Sequence, residues 1–145
     1  PQVDNRAGEQ YISTRAGEKI KAININNIEE LENYNSDVYF IDEFQFLNGD
    51  VSSIERLAQQ GKKFYISGLN LTAEKKPFGK IGDLMCIADN VELLTSVCEI
   101  CKCDNAIFSY YKGLKNTDIH IGDSEYIPVC RKCYKALKNK EENNG

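Results

Sequence analysis

The chain has 145 residues, 41% of them apolar, with 18 Lys+Arg against 22 Asp+Glu for a formal net charge of −4. That length suits one compact domain, or a reduced domain with a small appendage. The acidic balance argues against a dedicated nucleic-acid binder, and no apolar run approaches the roughly 18 residues of a membrane span.

In chain order, Lys21–Ile25 reads as a strand and Asn27–Tyr34 as a short helix. Asp37-Val-Tyr-Phe-Ile-Asp42 is a short apolar run ending in acids, expected as a buried parallel strand. After the polar break Asn48-Gly49-Asp50, Ser52–Gln60 sets Ile54, Leu57 and Ala58 on one helical face. Ser52 and Glu55 have capping-box spacing, and Gly61 supplies a stop. Lys63–Ser67 is a second buried strand, Ile81–Ala88 a helix and Val91–Val97 a third strand. Strand–helix–strand alternation predicts a parallel sheet with crossover helices. After Val97 the segments are short and Cys-flanked, with helical period only at Tyr134–Lys140. A subdomain boundary is therefore expected near Thr95, and Lys138–Gly145 reads as a polar tail.

The chain has six Cys and no visible secretory signal, so a cytoplasmic, reducing setting is expected. Cys98-Glu-Ile-Cys101 and Cys130-Arg-Lys-Cys133 are two Cys-x-x-Cys knuckles. Four thiolates in this pattern suit a structural Zn²⁺, with Zn–S near about 2.3 Å. Arg131 and Lys132 offset the surplus negative charge. The gap between knuckles exceeds the roughly 15–20 residues of a minimal ribbon, so the metal is expected to staple the base of a long loop. Two disulfides, or unrelated buried thiols, are the alternative. Cys103, two residues past Cys101, could compete as a ligand, but Cys-x-x-Cys spacing favours Cys101, and Cys86 reads as a small core residue.

Ligand and catalytic groups of parallel sheets gather at the C-terminal ends of strands. An apolar strand ending in Asp42-Glu43 matches a Walker B pattern, the Asp serving Mg²⁺ and the Glu accepting a proton. A solvated strand end is the bland alternative. The flanking Phe44-Gln45-Phe46 favours the functional reading, since aromatics there can stack a planar base. The matching phosphate cradle, G-x-x-x-x-G-K-[ST], is missing. Gly61-Lys62 and Gly79-Lys80 are the Gly-Lys pairs, and neither has the remaining residues.

With these residues in view, the sequence resembles the type II thymidine kinases, zinc-bearing P-loop deoxynucleoside kinases. The likeness runs through Asp4-Asn-Arg6, Ile12-Ser-Thr-Arg-Ala-Gly17, Ile41-Asp-Glu-Phe-Gln-Phe46, Ser67-Gly-Leu69, Lys76-Pro-Phe-Gly79, Ala88-Asp-Asn-Val91, both knuckles, Ile121-Gly122 and Tyr126. Asn70, Ala73 and the pair Tyr110-Tyr111 stand where the family commonly has Asp, an aromatic and Arg.

The resemblance implies a P-loop NTPase-like (RecA-like) parallel sheet, N-terminally incomplete, followed by a small zinc-ribbon and lasso subdomain. The opening at Pro1 without Met then reads as the loss of one βαβ unit carrying Walker A. The expected layout is a partial kinase domain over 1–94, a zinc-binding lasso over 95–137 and the tail over 138–145. The implied activity is transfer of the ATP γ-phosphate to the 5′-hydroxyl of thymidine. Glu43 would be the general base, with Asp42 and Arg6 at the magnesium and phosphates. Phe46, Leu69, Phe78, Tyr126, Ile121 and Gly122 would line the nucleoside site, and Cys98, Cys101, Cys130 and Cys133 would hold zinc. Implied cofactors and partners are Zn²⁺, Mg²⁺ with ATP, thymidine, dTTP as feedback inhibitor and three further copies in a homotetramer. No nucleic acid or membrane is expected. His120 reads as a lasso residue. A truncated, non-enzymatic zinc-ribbon module is the alternative function, and a helicase-type ATPase is disfavoured by the acidic charge.

Overall fold

The computed structural model describes residues 10–13, 17–112 and 125–143. They form a mixed α/β structure whose contacts divide it into two compact units. One comprises residues up to Leu69 together with Gly79–Ile87. The other comprises Asn70–Phe78 together with residues from Ala88 onward.

The first unit opens with an antiparallel pair, β1 (Gln10–Ser13) and β2 (Lys19–Ala22). The strand expected at Lys21–Ile25 is thus an arm of a local hairpin and not a member of the parallel sheet. Asn27–Tyr34 becomes a 3₁₀ helix at Ile28–Asn33. The Glu30 carboxylate accepts the N–H groups of Asn26 and Asn27 at 2.9 and 2.8 Å, satisfying donors that a helix start leaves orphaned.

The parallel sheet has two strands among the described residues, β3 (Val38–Ile41) and β4 (Lys63–Ile66). Helix α1 (Ser52–Gln59) is their crossover, as expected. Its capping differs from the Ser52–Glu55 box. Val51 already has helical dihedrals, so Ser52 lies inside the first turn. Asp50 caps instead, accepting the Ser52 N–H at 2.9 Å, and this bond pulls the Asp50 pKa down. Ile54 and Leu57 are buried as expected, but Ser53 joins them while Ala58 is exposed. Gly61, at φ +89°, closes the helix with an N–H bond to the Ala58 carbonyl at 2.8 Å.

The two strands are buried on one face only, where full burial was expected. Tyr39 stacks on Phe64 at 4.9 Å toward the core. Phe40 and Tyr65, one step along each strand, point the other way and stack at 5.1 Å while 78% and 59% exposed. The core side gathers Ile28, Leu31, Tyr39, Phe44, Ile54 and Leu57, with Ile81 and Leu84 from α2 (Ile81–Ile87). Each large apolar side chain so buried contributes about 1.5–3 kcal/mol.

The second unit holds an antiparallel hairpin, β5 (Phe108–Tyr111) with β6 (Tyr126–Val129), and helix α3 (Arg131–Asn143). The helix starts three residues before the expected Tyr134. The third strand expected at Val91–Val97 does not form. That stretch is exposed and makes one bridge, Ser96 to Ala106. With no neighbouring strand among the described residues to pair its backbone, apolar alternation alone does not hold it extended. The core here is Cys98, Ala106, Phe108, Tyr110, Val129, Cys130, Cys133 and Tyr134. Tyr134 packs at 5.1 Å from Phe108 and edge-on at 6.1 Å from Tyr110. Its O–H donates to the Ala73 carbonyl at 2.8 Å, and the Lys75 ammonium sits 4.7 Å from its ring centre.

Tyr110 donates its O–H to Glu141, and burial, with that bond, pushes its pKa up to about 12. A raised phenol pKa stabilises the fold below the unfolded value of 10.0. That stability is lost as the pH rises through about 12. Tyr110→Phe should remove this alkaline component. Thermal unfolding from pH 8 to pH 12 should show a wild-type-minus-variant difference that shrinks with rising pH, and a pH-independent difference would contradict it.

Candidate functional site

Among the described residues, two constellations carry chemistry. The first lies at the C-terminal ends of β3 and β4. Their register sets Ile41 beside Ile66, so the following residues, Asp42 and Ser67, emerge side by side. The Ser67 N–H donates to the Ile41 carbonyl at 2.9 Å, and the Ser67 Oγ donates to Asp42 Oδ1 at 2.6 Å. Asp42 Oδ1 also accepts the Glu43 N–H at 3.0 Å. These bonds orient the Asp42 carboxylate while leaving the residue exposed.

Glu43 leaves the strand path in the left-handed region, φ 55° and ψ 41°, an uncommon conformation for a residue with a Cβ. It feeds a 3₁₀ turn, Phe44–Phe46, that buries Phe44 and Gln45. The Phe44 N–H donates to the Ser67 carbonyl at 3.1 Å, pinning the turn to the end of β4. Gln45 is only 3% exposed, and both ends of its amide are used. Its Nε2 donates to Glu43 Oε2 at 2.5 Å, and its Oε1 accepts the Leu69 N–H at 3.0 Å. The Glu43 carboxylate is thereby tethered to a buried group.

Two glycines make room for Gln45. A Cβ on Gly68 would lie 2.7 Å from Gln45 Oε1 and 2.9 Å from the Ile81 side chain. Gly79, at φ +54°, would drive a Cβ into the Gln45 carbonyl oxygen. These contacts give Ser67-Gly-Leu69 and the final residue of Lys76-Pro-Phe-Gly79 a physical reason.

The second constellation is the cysteine cluster. All six cysteines are free thiols, so the disulfide alternative is not adopted. The first knuckle is a tight turn. The Cys98 N–H donates to the Cys103 carbonyl at 2.8 Å and the Lys102 N–H to the Cys98 carbonyl at 2.9 Å, with Lys102 at φ 60°. The second knuckle straddles the start of α3. The Cys130 N–H points at Cys98 Sγ, 3.4 Å away. Backbone N–H groups, that of Cys101 first, pull the Cys98 pKa down to about 6. The Cys133 N–H similarly lowers that of Cys130. The Sγ atoms of Cys98, Cys101, Cys103 and Cys130 all lie within 4.8 Å of one another, close enough to hold one metal ion. Cys133, buried one helical turn after Cys130, packs against the same group.

The structure thus brings Asp42, Glu43, Phe46 and Leu69 into the first unit, with Phe46 and Leu69 about half exposed. Phe78, Tyr126 and the knuckles lie in the second, where Tyr126 contacts Tyr111 at 5.1 Å between ring centres. Arg6, His120, Ile121 and Gly122 lie outside the described residues. Gln45 and Ser67 carry no role in the sequence reading, though both sit inside quoted motifs. A polar residue between two aromatics, two positions after a candidate base, is the signal that points to Gln45.

The thymidine kinase family model matches residues 1–134. A thymidine kinase of Pseudothermotoga lettingae is 33% identical over 98% of this chain and 80% of its own length. One of Mycoplasma mobile is 36% identical over 96% of this chain and 70% of its own length. One of Mesomycoplasma hyopneumoniae is 35% identical over 92% of this chain and 76% of its own length.

Gln45→Leu keeps the side-chain size but removes both hydrogen bonds. It should cost about 1–3 kcal/mol, the usual penalty for stranding polar partners. Denaturant unfolding checks this, and a stability change below about 0.5 kcal/mol would show the amide to be dispensable.

Proposed function

We propose, for a chain that belongs to the thymidine kinase family, that thymidine is phosphorylated by ATP with Glu43 as the general base. Glu43 takes the proton of the 5′-hydroxyl as that oxygen attacks the γ-phosphorus. The observation that carries this reading is the tethered Glu43 carboxylate at the end of a parallel strand pair. A base held by a buried amide needs little reorganisation when the hydroxyl arrives. Asp42, oriented by Ser67 and the Glu43 N–H, is the residue for Mg²⁺. Bound with ATP, that ion would neutralise charge on the phosphates. Arg6 is assigned to the phosphates by resemblance.

Thymidine contacts are proposed for Phe46, Leu69, Phe78, Tyr126, Ile121 and Gly122. The half exposure of Phe46 and Leu69 supports a role in receiving an apolar ring face. Zinc is proposed at the cysteine cluster through Cys98, Cys101, Cys130 and Cys133, a donor set of the right chemistry; the first three thiols, together with that of Cys103, lie close enough to hold one ion. There it would staple the turn at Cys98–Cys101 to the start of α3, closing the base of the stretch between the knuckles. The P-loop NTPase-like fold belongs to the same reading. So does the division into a kinase part over 1–94, a zinc-binding part over 95–137 and a tail over 138–145. No described helix is long and apolar enough to cross a membrane. Cytoplasmic placement, a homotetramer and inhibition by dTTP complete the proposal.

The 145 residues contain no G-x-x-x-x-G-K-[ST] motif, so the test uses the full-length gene product. Glu43→Gln should lower kcat by roughly 10²–10⁴-fold while calorimetry shows thymidine still bound. Unchanged turnover would remove Glu43 as base. Thymidine binding with no phosphate transfer by the unmutated protein would favour the non-enzymatic module.

A further inference from the structure

A closed structural zinc site takes four ligands, and this cluster offers five thiols. We propose that Cys98, Cys101 and Cys130 are constant ligands and that Cys103 and Cys133 are interchangeable in the fourth position. The proposal rests on the zinc reading above and deepens it.

Geometry carries the argument. Four sulfurs around Zn²⁺ at about 2.3 Å stand about 3.8 Å apart along each tetrahedral edge. Cys101 Sγ is 3.7 Å from Cys130 Sγ and 3.4 Å from Cys103 Sγ, and the tetrad including Cys103 closes within 4.8 Å. Cys103 is therefore already placed as a ligand would be. Cys133 approaches from a different element. It sits on the first turn of α3, three residues after Cys130, and is buried in one core cluster with Cys98 and Cys130. The candidate fourth ligands thus meet at one cluster and are borne by separate segments, a turn and a helix. Changing one for the other needs side-chain rotation about a fixed triad. In the exchange a Zn–S bond to one sulfur breaks as the bond to the other forms. The incoming thiol gives up its proton and the released thiolate takes one, so charge at the metal is conserved.

Spacing alone points to a pair of Cys-x-x-Cys knuckles and sets Cys103 aside. The turn at Lys102 reverses that, because its left-handed conformation folds Cys103 back toward the knuckle.

The test uses the full chain loaded with Zn²⁺ for stoichiometry and with Co²⁺ for spectroscopy. The thiolate-to-cobalt charge-transfer band grows with the number of sulfur ligands. Cys103→Ser should keep one metal per chain and a four-thiolate band. Cys133 is buried in the core, so both Cys133→Ala and Cys133→Ser are made, with circular dichroism reporting the fold. Retention of the four-thiolate band in either supports the exchange. The double variant Cys103→Ser with Cys133→Ala should lose one thiolate's share of the band and bind metal more weakly than either single variant. Loss of the four-thiolate band, or failure to fold with saturating Co²⁺, in both Cys133 variants would overturn the proposal. So would its loss in Cys103→Ser. An unmutated chain that takes up no metal would overturn the zinc reading itself, a result distinguishable from both.

Discussion

The parallel register of β3 and β4 is the constraint on which the candidate catalytic constellation depends. Ile41 paired with Ile66 delivers Asp42 and Ser67 to the same end of the sheet, where they hydrogen-bond. The chain then has to leave the strand at once, because Phe44 is drawn into the core and its N–H is claimed by the Ser67 carbonyl. Glu43 absorbs that change of direction in a left-handed conformation. Such a conformation costs about 1–3 kcal/mol and persists only where surroundings over-determine it. Here they do. Phe44 anchors one side of the turn, and the Gln45 amide ties the Glu43 carboxylate to the Leu69 backbone. Gly68 and Gly79 leave space for that amide, so loops distant in sequence converge on one buried polar group.

The second unit is organised around sulfur. Its hairpin strands have four residues each, and cysteines make up three of its buried core residues. The knuckles aim backbone N–H groups at Cys98 and Cys130, which favours their thiolate forms. Burial acts oppositely at Cys133, pushing its thiol up to about 12, and the contact with Cys101 raises Cys103 to about 11. A cation would reverse that opposition, since coordination deprotonates a thiol outright. Aromatic packing supplies the remaining cohesion, with Tyr134 held between Phe108, Tyr110 and the Lys75 ammonium.

Elements with strong local signals were legible. The apolar run at 37–42, the helix closed by Gly61 and the strand at 63–67 are where the periodicity puts them, because a long apolar face and a positive-φ glycine act locally. Val91–Val97 misled, since its alternation is strand-like but strand formation needs a partner that sequence does not display. Ala58 misled for a related reason. Helical phase tells which residues share a face, but the boundary between buried and exposed was drawn by what packs there, and Ser53 took the place.

The sequence by itself determined the family, the acidic strand end and the identity of the thiols, because these rest on residue type and spacing along the chain. Tertiary structure decided what those residues do to one another. Gln45 became the tether of Glu43 because two loops close on it. Cys103 joined the cluster of thiols that could hold a metal because a left-handed turn at Lys102 folds it back. Both outcomes are through-space distances of a few ångströms. Such distances are set by backbone turns and the packing that enforces them, which spacing along a chain does not encode.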